Sequence, residues 1–260
     1  MILLLGALEC EITRIPPLLS GSERHDWRGF EVYRGMLEGR SVAVARIGAG
    51  KALAAAVTQR LVQEYRPRAV LLTGIAGALV ADLAVGDLVL GRDCVQHDLD
   101  ASRFGFVRGE IPYSRFRVLP CDSALLECAA TAAPLRGRAR VGRILSGDRF
   151  LDREEKRRLA VCGRELSGTV VDMESAGVAL VCALNAIPLL IVRTVSDTLE
   201  GAAPKRFRRL LESCGDTAAA YFRALASAGA LPPGAGTSEI GVQARRRARS
   251  ERETLREEDG

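Results

Sequence analysis

Several acidic side chains follow short apolar runs of the sequence, at the points where buried strands would end. Glu9 and Glu11 come soon after the first such run, Asp172 and Glu174 follow a later one, and Asp197 follows another. Cleavage of a glycosidic bond needs paired carboxyl groups, because one protonates the leaving group while the other activates water or stabilises the cationic sugar. The alternative interpretation is that each acid only caps the following helix, and Glu11 and Glu174 would both suit a first turn.

A glycine-rich turn, Gly48-Ala49-Gly50-Lys51, precedes a stretch with helical periodicity. Backbone N–H groups in such a turn can hold an anion at the helix N-terminus. The spacing does not fit a P-loop, and no third glycine completes a dinucleotide-binding fingerprint. A tight strand–helix turn is therefore the favoured interpretation.

Apolar runs that end in Gly, Ser, Asp or Glu alternate with longer amphipathic stretches. The predicted strands are residues 2–5, 42–47, 69–73, 87–93, 140–145, 168–171 and 189–195, and the predicted helices are residues 52–65, 175–185 and 205–228. This alternation predicts an α/β fold, with a sheet covered by helices. Ligands of such sheets bind beyond the carboxyl ends of the strands, so the polar strand ends should converge on one rim. The polar segment 20–29 is predicted to be a loop.

Composition favours one globular domain, since 48% hydrophobic residues in a chain of 260 can bury a substantial core. The net charge of +5 is weak support for nucleic-acid binding, and 5% aromatic residues are too few for base-stacking platforms, so no nucleic-acid partner is expected. The seven cysteines form no CxxC pair, which argues for reduced thiols and a cytoplasmic location. With only two histidines in the chain, no metal site is expected.

The two ends of the chain differ in character. The apolar N-terminal run lacks a basic region and is followed at once by Glu9 and Glu11, which favours a first strand over a signal peptide. No run approaches the ~18 apolar residues of a membrane span, so no membrane partner is expected. From Pro232 the composition changes to a Pro/Gly linker and then to a highly charged segment. Residues 1–231 are predicted to form the domain, and residues 232–260 a charged, disordered tail.

These segments together resemble the 5'-methylthioadenosine/S-adenosylhomocysteine nucleosidase family, within the nucleoside phosphorylase superfamily. The similarity covers residues 1–228 in order, and its main motifs are Gly6-Ala-Leu-Glu-Cys-Glu11, Thr73-Gly-Ile-Ala-Gly77, Ser146-Gly-Asp148, Val171-Asp-Met-Glu174 and Arg193-Thr-Val-Ser-Asp197. The resemblance implies a three-layer α/β fold with a central mixed, partly barrel-like sheet flanked by helices. It also implies a homodimer that uses no metal and no organic cofactor.

The activity implied by the resemblance is hydrolysis of the N-glycosidic bond of a 5'-modified adenosine, such as methylthioadenosine, S-adenosylhomocysteine or 5'-deoxyadenosine. Asp197 would protonate N7 of adenine, and Glu11 would orient and deprotonate the attacking water. Glu174 would accept hydrogen bonds from the ribose 2'- and 3'-hydroxyls. It would also favour the oxocarbenium charge that develops on the sugar, and so bind the transition state better than the substrate.

The resemblance assigns further positions to substrate binding. Met173 would pack under the ribose, Phe150 would stack on adenine, and the backbone of Leu151 would read its Watson–Crick edge. Ser196 would help to fix the general acid, and Arg193 would lie near the water and the general base. The remaining implied substrate-binding positions are Ala76, Gly77, Phe104, Pro112 and Phe207. The last three would line an apolar 5' pocket, partly from a neighbouring subunit.

One residue of the third-strand turn departs from the family pattern. Ile75 stands where the family usually has Ser, which removes a hydroxyl near the nucleophile and makes this wall more apolar. Related nucleosidases that act on bulkier substrates, such as futalosine, can also carry an aliphatic residue there. A futalosine-type or other purine nucleoside hydrolase therefore stays an alternative.

Phosphate-dependent nucleoside phosphorylases, which belong to the same superfamily, are the other alternative. They hold the phosphate dianion with arginines, one of them in the third strand, but residues 69–74 of this chain contain no cation. Arg14 is a possible lone phosphate ligand, although Glu11 would repel the anion. Hydrolysis is therefore predicted. Asp197 favours adenine as the base, because a carboxylic acid can donate to N7 while accepting from the 6-amino group.

Two other classes of function fit less well. A nucleoside-binding module without catalysis would leave the three carboxylates unexplained. A methyltransferase would want a GxGxG loop after the first strand, which residues 6–11 do not supply.

Overall fold

A computed structural model describes residues 1–132, 137–200 and 207–231 of the protein. Strands and helices alternate along most of the described chain. The strands are β1 Ile2–Gly6, β2 Ser20–Trp27, β3 Phe30–Leu37, β4 Arg40–Arg46, β5 Ala69–Ala78, β6 Leu88–Gln96, β7 Leu119–Pro120, β8 Ala139–Ser146, β9 Val170–Asp172 and β10 Leu189–Asp197. The helices are α1 Glu9–Ile12, α2 Lys51–Tyr65, α3 Ser123–Thr131, α4 Arg153–Cys162, α5 Ser175–Leu184 and α6 Phe207–Ser227.

All these strands belong to one mixed sheet that closes on itself in part. β10 pairs with β6, β6 with β8, β8 with β9, β9 with β5, and β5 again with β10, which completes a ring of five strands. β1, β4, β3 and β2 continue outward from β5 as an open extension. This arrangement confirms the mixed, partly barrel-like sheet that the resemblance implied.

Helices cover both faces of the sheet, and β1 shows why. Successive side chains of a strand point to opposite faces. Leu3 and Leu5 pack in the core cluster that includes residues of α2 and α5, whereas Ile2 and Leu4 pack in the cluster that includes residues of α6. Because both faces are buried, the strand is an unbroken apolar run without alternation, which is typical of a sheet covered on two sides.

The parallel strands β1, β5 and β10 end at the same rim. Gly6 of β1 lies beside Thr73 of β5, and Asp197 of β10 lies beside Gly77 of β5. The chain segments that carry Glu11 and Asp197 are therefore brought together, as predicted from the polar strand ends.

The predicted loop over residues 20–29 is wrong, because Ser20–Trp27 forms β2 and pairs antiparallel with β3. All of its residues before Trp27 are exposed, so the strand buries no face and shows no apolar alternation. The hairpin turns at Arg28 and Gly29, which both have positive φ. A strand at the sheet edge with water on both faces has the composition of a loop, which explains the error.

The other predicted elements exist, and the strands β5, β6 and β10 extend several residues beyond their predicted ends. The helices α3 and α4 were not predicted. The tail 232–260, and the first residues of the predicted helix 205–228, lie outside the described residues. Within the described part of the chain, no helix combines the length and apolarity needed to cross a membrane.

Candidate active site

A cleft of about 820 Å³, measured out to its open mouth, lies at the rim where β1, β5, β9 and β10 end. The predicted site residues that line the cleft are Glu11, Ala76, Gly77, Phe150, Leu151, Met173, Glu174, Ser196 and Asp197. The structure thus brings the three proposed carboxylates and most of their expected neighbours into one cavity.

Glu11 lies in the four-residue helix α1 and is only 1% exposed. Its Oε2 atom accepts a hydrogen bond from the N–H of Leu8 at 2.9 Å, and Oε1 accepts one from the N–H of Ile75 at 3.1 Å. Burial raises the pKa of Glu11, and the charge of Arg193 opposes that rise in part. One oxygen of Glu11 therefore caps α1, as the capping interpretation held, while the same carboxylate also borders the cleft.

Glu174 occupies the N-cap position of α5 and is buried. Its Oε1 atom accepts a hydrogen bond from the N–H of Gly50 at 3.0 Å. Burial, with the nearby charge of Asp172, raises the pKa of Glu174 to about 7. The turn before α2 therefore directs this N–H to a carboxylate of the protein, and the neighbouring N–H of Lys51 likewise donates to Asp148 at 2.7 Å. This agrees with the favoured structural interpretation of that turn.

Arg193 is fully buried behind the wall of the cleft. Its guanidinium donates to Asp172 Oδ2 at 2.9 Å, to the carbonyl of Thr73 at 2.9 Å, and to Ser175 Oγ at 3.0 Å. Its Nη2 atom lies 3.8 Å from Glu174 Oε2. Arg193 is therefore placed to hold the surrounding carboxylates, and it is not among the residues that line the cleft.

Gly74 of β5 has no Cβ atom, which allows the side chains of Arg193 and Glu11 to lie close to the strand and to each other. A Cβ atom at this position would overlap Arg193 Nη1 and lie 2.8 Å from Glu11 Oε1, and its φ of 149° is one that residues with side chains rarely adopt. Only glycine fits such a close approach. Arg193 thus lies near the proposed base, as the resemblance implied.

Asp197 ends β10 and points into the cleft near Gly77. Its Oδ1 atom accepts a hydrogen bond from Ser196 Oγ at 2.5 Å, as expected for a serine that fixes the acid. Its Oδ2 atom accepts from the ammonium of Lys156, a residue of α4 whose side chain is 3% exposed. The same ammonium donates to the carbonyl of Thr198 at 2.9 Å.

Lys156 is a site residue that sequence reasoning missed. It lies within the run Arg153-Glu-Glu-Lys-Arg-Arg158, which is typical of a solvated helix face. No sequence signal separates this lysine from its charged neighbours, because its burial depends on α4 packing beside β10. Ile75 lines the cleft, as expected of a residue in its apolar wall. The lining residues that were not among the predicted site residues are Ala7, Leu8, Ala49, Arg149, Val171 and Asp172.

Among the predicted residues whose side chains are described, Arg193, Phe104 and Pro112 do not line the cleft of this chain. Phe104 is 82% exposed on the surface, and Pro112 does not line the cavity. Phe207 begins α6, and its side chain lies outside the described residues. Phe150 lines the cleft but is 77% exposed, so its ring is free to contact a ligand. In the described ranges, no group of three or more His, Cys, Asp or Glu side chains could hold a metal ion.

Comparisons with known proteins agree with this geometry. Residues 2–228 match the model of the Phosphorylase superfamily. The chain is 35% identical over 214 residues to a 5'-methylthioadenosine/S-adenosylhomocysteine nucleosidase of Geobacillus kaustophilus, covering 81% of this chain and 89% of that protein.

Two solved structures are also similar. The nucleosidase of the same type from Colwellia psychrerythraea 34H, in complex with adenine, has a TM-score of 0.80 and 26% identity, covering 90% of this chain and 96% of the other. The native futalosine hydrolase of Helicobacter pylori strain 26695 has a TM-score of 0.77 and 30% identity, covering 87% and 97%. The chain therefore belongs to the 5'-methylthioadenosine/S-adenosylhomocysteine nucleosidase family of the Phosphorylase superfamily.

Proposed function

We propose that this protein hydrolyses the N-glycosidic bond of a 5'-modified adenosine and releases adenine. The observation that carries the proposal is that Glu11, Glu174 and Asp197 border a single cleft. The complex of the Colwellia relative with adenine supports adenine as the product.

In the proposed reaction, Asp197 delivers a proton to N7 of adenine, so that the base leaves as a neutral molecule. Glu11 takes a proton from the attacking water, and its raised pKa makes it a stronger base than an ordinary carboxylate. Ionised Glu174 accepts hydrogen bonds from the ribose hydroxyls and stabilises the oxocarbenium charge. That last interaction strengthens in the transition state, which is the condition for raising the rate.

Water is favoured over phosphate as the nucleophile, because the described residues that line the cleft include few cations to hold a phosphate dianion. Among the described lining residues, the cations are Arg149 and Lys156, and Lys156 is ion-paired with Asp197. Arg14, the one phosphate ligand considered from sequence, has a half-exposed side chain, is not a lining residue, and pairs with Asp216 at 3.6 Å. Burying a phosphate dianion without cations would be very unfavourable.

A futalosine-type substrate is the second candidate. The side chain of Ile75 forms part of the cleft wall, and the Helicobacter pylori futalosine hydrolase shares the fold. An aliphatic wall at this point suits a larger apolar 5' group, so the two candidates differ in the 5' substituent and share the bond that breaks.

The test is adenine release in phosphate-free buffer from methylthioadenosine, S-adenosylhomocysteine, 5'-deoxyadenosine and aminodeoxyfutalosine. We expect release from at least one of the first three without phosphate. Strict phosphate dependence would reassign the protein as a phosphorylase, and release from aminodeoxyfutalosine alone would favour the second candidate. Binding without release would leave a nucleoside-binding protein.

We also propose that the enzyme is a cytoplasmic homodimer. Exposed Phe104 and Tyr113 give the segment around residues 102–113 an apolar surface that a second subunit would cover. The six cysteines whose side chains are described are all free, which suits a reducing compartment. Light scattering tests the oligomer, and a monomer at assay concentration would reject it.

A further inference from the structure

Lys156 has an unusual environment for a lysine. Its side chain is 3% exposed, its ammonium contacts the Asp197 carboxylate and the Thr198 carbonyl, and its Cδ packs near Gly77. Lysine is almost never fully buried unless it is paired. The residue lines the same cleft as the proposed acid, so this ion pair belongs to the site.

Both oxygens of the Asp197 carboxylate already accept hydrogen bonds. Ser196 Oγ donates to Oδ1, and Lys156 Nζ donates to Oδ2. In this arrangement both oxygens act as acceptors and neither carries a proton. A general acid must nevertheless carry a proton when it acts. Of the described groups that contact the carboxylate, the ammonium is the one that can release a proton, since Ser196 offers only a weakly acidic hydroxyl.

We propose that Lys156 is a positioning residue that stores the proton which Asp197 delivers to the leaving base. This inference rests on the proposed hydrolysis. The Lys156 N–H bond breaks and an O–H bond forms on Asp197; that carboxyl then protonates N7 while the C1'–N9 electron pair moves to the base. Water adds to C1' and gives its proton to Glu11. The reaction leaves a neutral amine and a protonated Glu11, and solvent then restores both.

Substrate binding itself would favour this proton transfer. A nucleoside that fills the cleft excludes water from the ion pair, which destabilises separated charges relative to a neutral amine and a neutral acid. The other charged groups facing this region are Glu11, Asp172, Glu174 and Arg149 on the cleft wall, with Arg153 and Arg157 of α4, which donate to the carbonyl of Leu199.

Two substitutions separate proton storage from a purely structural role. Lys156→Arg keeps a cation and its hydrogen bonds, but a guanidinium does not release its proton. Lys156→Met keeps the apolar stem and removes both charge and proton. We expect Lys156→Arg to lower kcat at least ~10²-fold at every pH between 5 and 9. We expect Lys156→Met to lose a similar factor relative to wild type at pH 8, and this difference from wild type to shrink markedly near pH 5, where solvent is a richer source of protons.

The measurement is kcat and kcat/KM against pH, using whichever nucleoside the wild-type enzyme converts to adenine, with Asp197→Asn as the reference for loss of the acid. A Lys156→Arg enzyme within about tenfold of wild type, with an unchanged pH profile, would overturn the inference. If the arginine variant does not fold, as judged by circular dichroism, Lys156→Met decides: a loss that is the same at pH 5 and pH 8 overturns it. Failure of wild type to release adenine would instead reject the proposed function.

Discussion

The Oε1 atom of Glu11 accepts a hydrogen bond from the backbone N–H of Ile75 at 3.1 Å, although the two residues are 64 positions apart. Any residue other than proline at position 75 can donate this hydrogen bond, because the donor is the backbone N–H. The departure from serine to isoleucine therefore changes the wall of the cleft and leaves the orientation of the proposed base intact. The isoleucine should therefore affect which substrate binds more than how the glycosidic bond is broken.

Replacement of Glu11 by Gln should remove the base while keeping the cleft. The amide has one acceptor oxygen for the two N–H donors of Leu8 and Ile75, and it cannot take a proton from water. We expect kcat to fall by ~10²–10⁴ with a small change in KM. Stopped-flow or coupled absorbance detection of adenine measures it, with Ile75→Ser as the control that keeps the backbone donor. A Glu11→Gln enzyme with kcat close to that of wild type would show that another group activates water.

Replacement of Asp197 by Asn should remove the proton donor. We expect a loss of ~10²–10⁴ in kcat, because general acid catalysis contributes about that factor. Asp216→Asn is a suitable control, since Asp216 is a half-exposed carboxylate outside the cleft that pairs with Arg14. It should keep the parent rate. Turnover of the Asp197 variant within about tenfold of the parent would contradict the assignment.

The pH dependence of kcat/KM should carry the signature of Glu174. Its pKa of about 7 in the free protein means that the ionised form, which accepts the ribose hydroxyls, is lost as the pH falls below neutral. The raised pKa of Glu11 acts in the same direction. We therefore expect kcat/KM to decline from pH 8 towards pH 5.5. A profile that stays flat over this range would show that both carboxylates remain ionised.

Glu174→Gln should stabilise the free protein while it weakens catalysis. The folded-state pKa of Glu174, about 7, lies above its ordinary value of 4.5, so the folded protein binds the proton more tightly than the unfolded chain. The stability that this group contributes is fully present below pH 4.5 and is lost as the pH rises through 7. The free energy of unfolding falls by about 3 kcal/mol over this range. Thermal unfolding at pH 8 should show a higher Tm for the Glu174→Gln variant than for wild type, and the difference should vanish near pH 4.5. Equal Tm values at pH 8 would refute the burial cost.

Gly74→Ala should displace the side chains of Arg193 and Glu11 at the wall of the cleft. The new Cβ would overlap Arg193 Nη1 and meet Glu11 Oε1 at 2.8 Å, in addition to the strain of a positive φ. We expect a loss of more than about 2 kcal/mol in unfolding free energy, together with loss of activity. Gly39→Ala is a matched control, because Gly39 has a φ of 71° and nothing within 4 Å, so it bears backbone strain of only about 1 kcal/mol. Similar effects of the two substitutions on denaturant unfolding would contradict the proposed clash.

The sequence by itself predicted the buried parallel strands and the rim where they end. β1, β5 and β10 are apolar runs because both faces of the sheet are covered, and their composition reports that burial directly. Strand ends rich in Gly and acidic residues then offered several candidate carboxylates, and the family resemblance selected Glu11, Glu174 and Asp197 among them. The edge strand β2 escaped prediction because it buries no face, so the hydrophobic pattern that reveals a strand is absent.

Only the tertiary structure decided how the charges are paired. Arg193 belongs to an apolar run and Lys156 to a charged one, yet the side chains of both are buried, Arg193 behind Gly74 and Lys156 beside Asp197. Burial of a charge depends on which elements pack around it and on partners far apart in the chain, and neither is a property of local sequence. The sequence therefore predicted which residues would carry the chemistry, whereas the tertiary structure determined their hydrogen-bond partners and orientation.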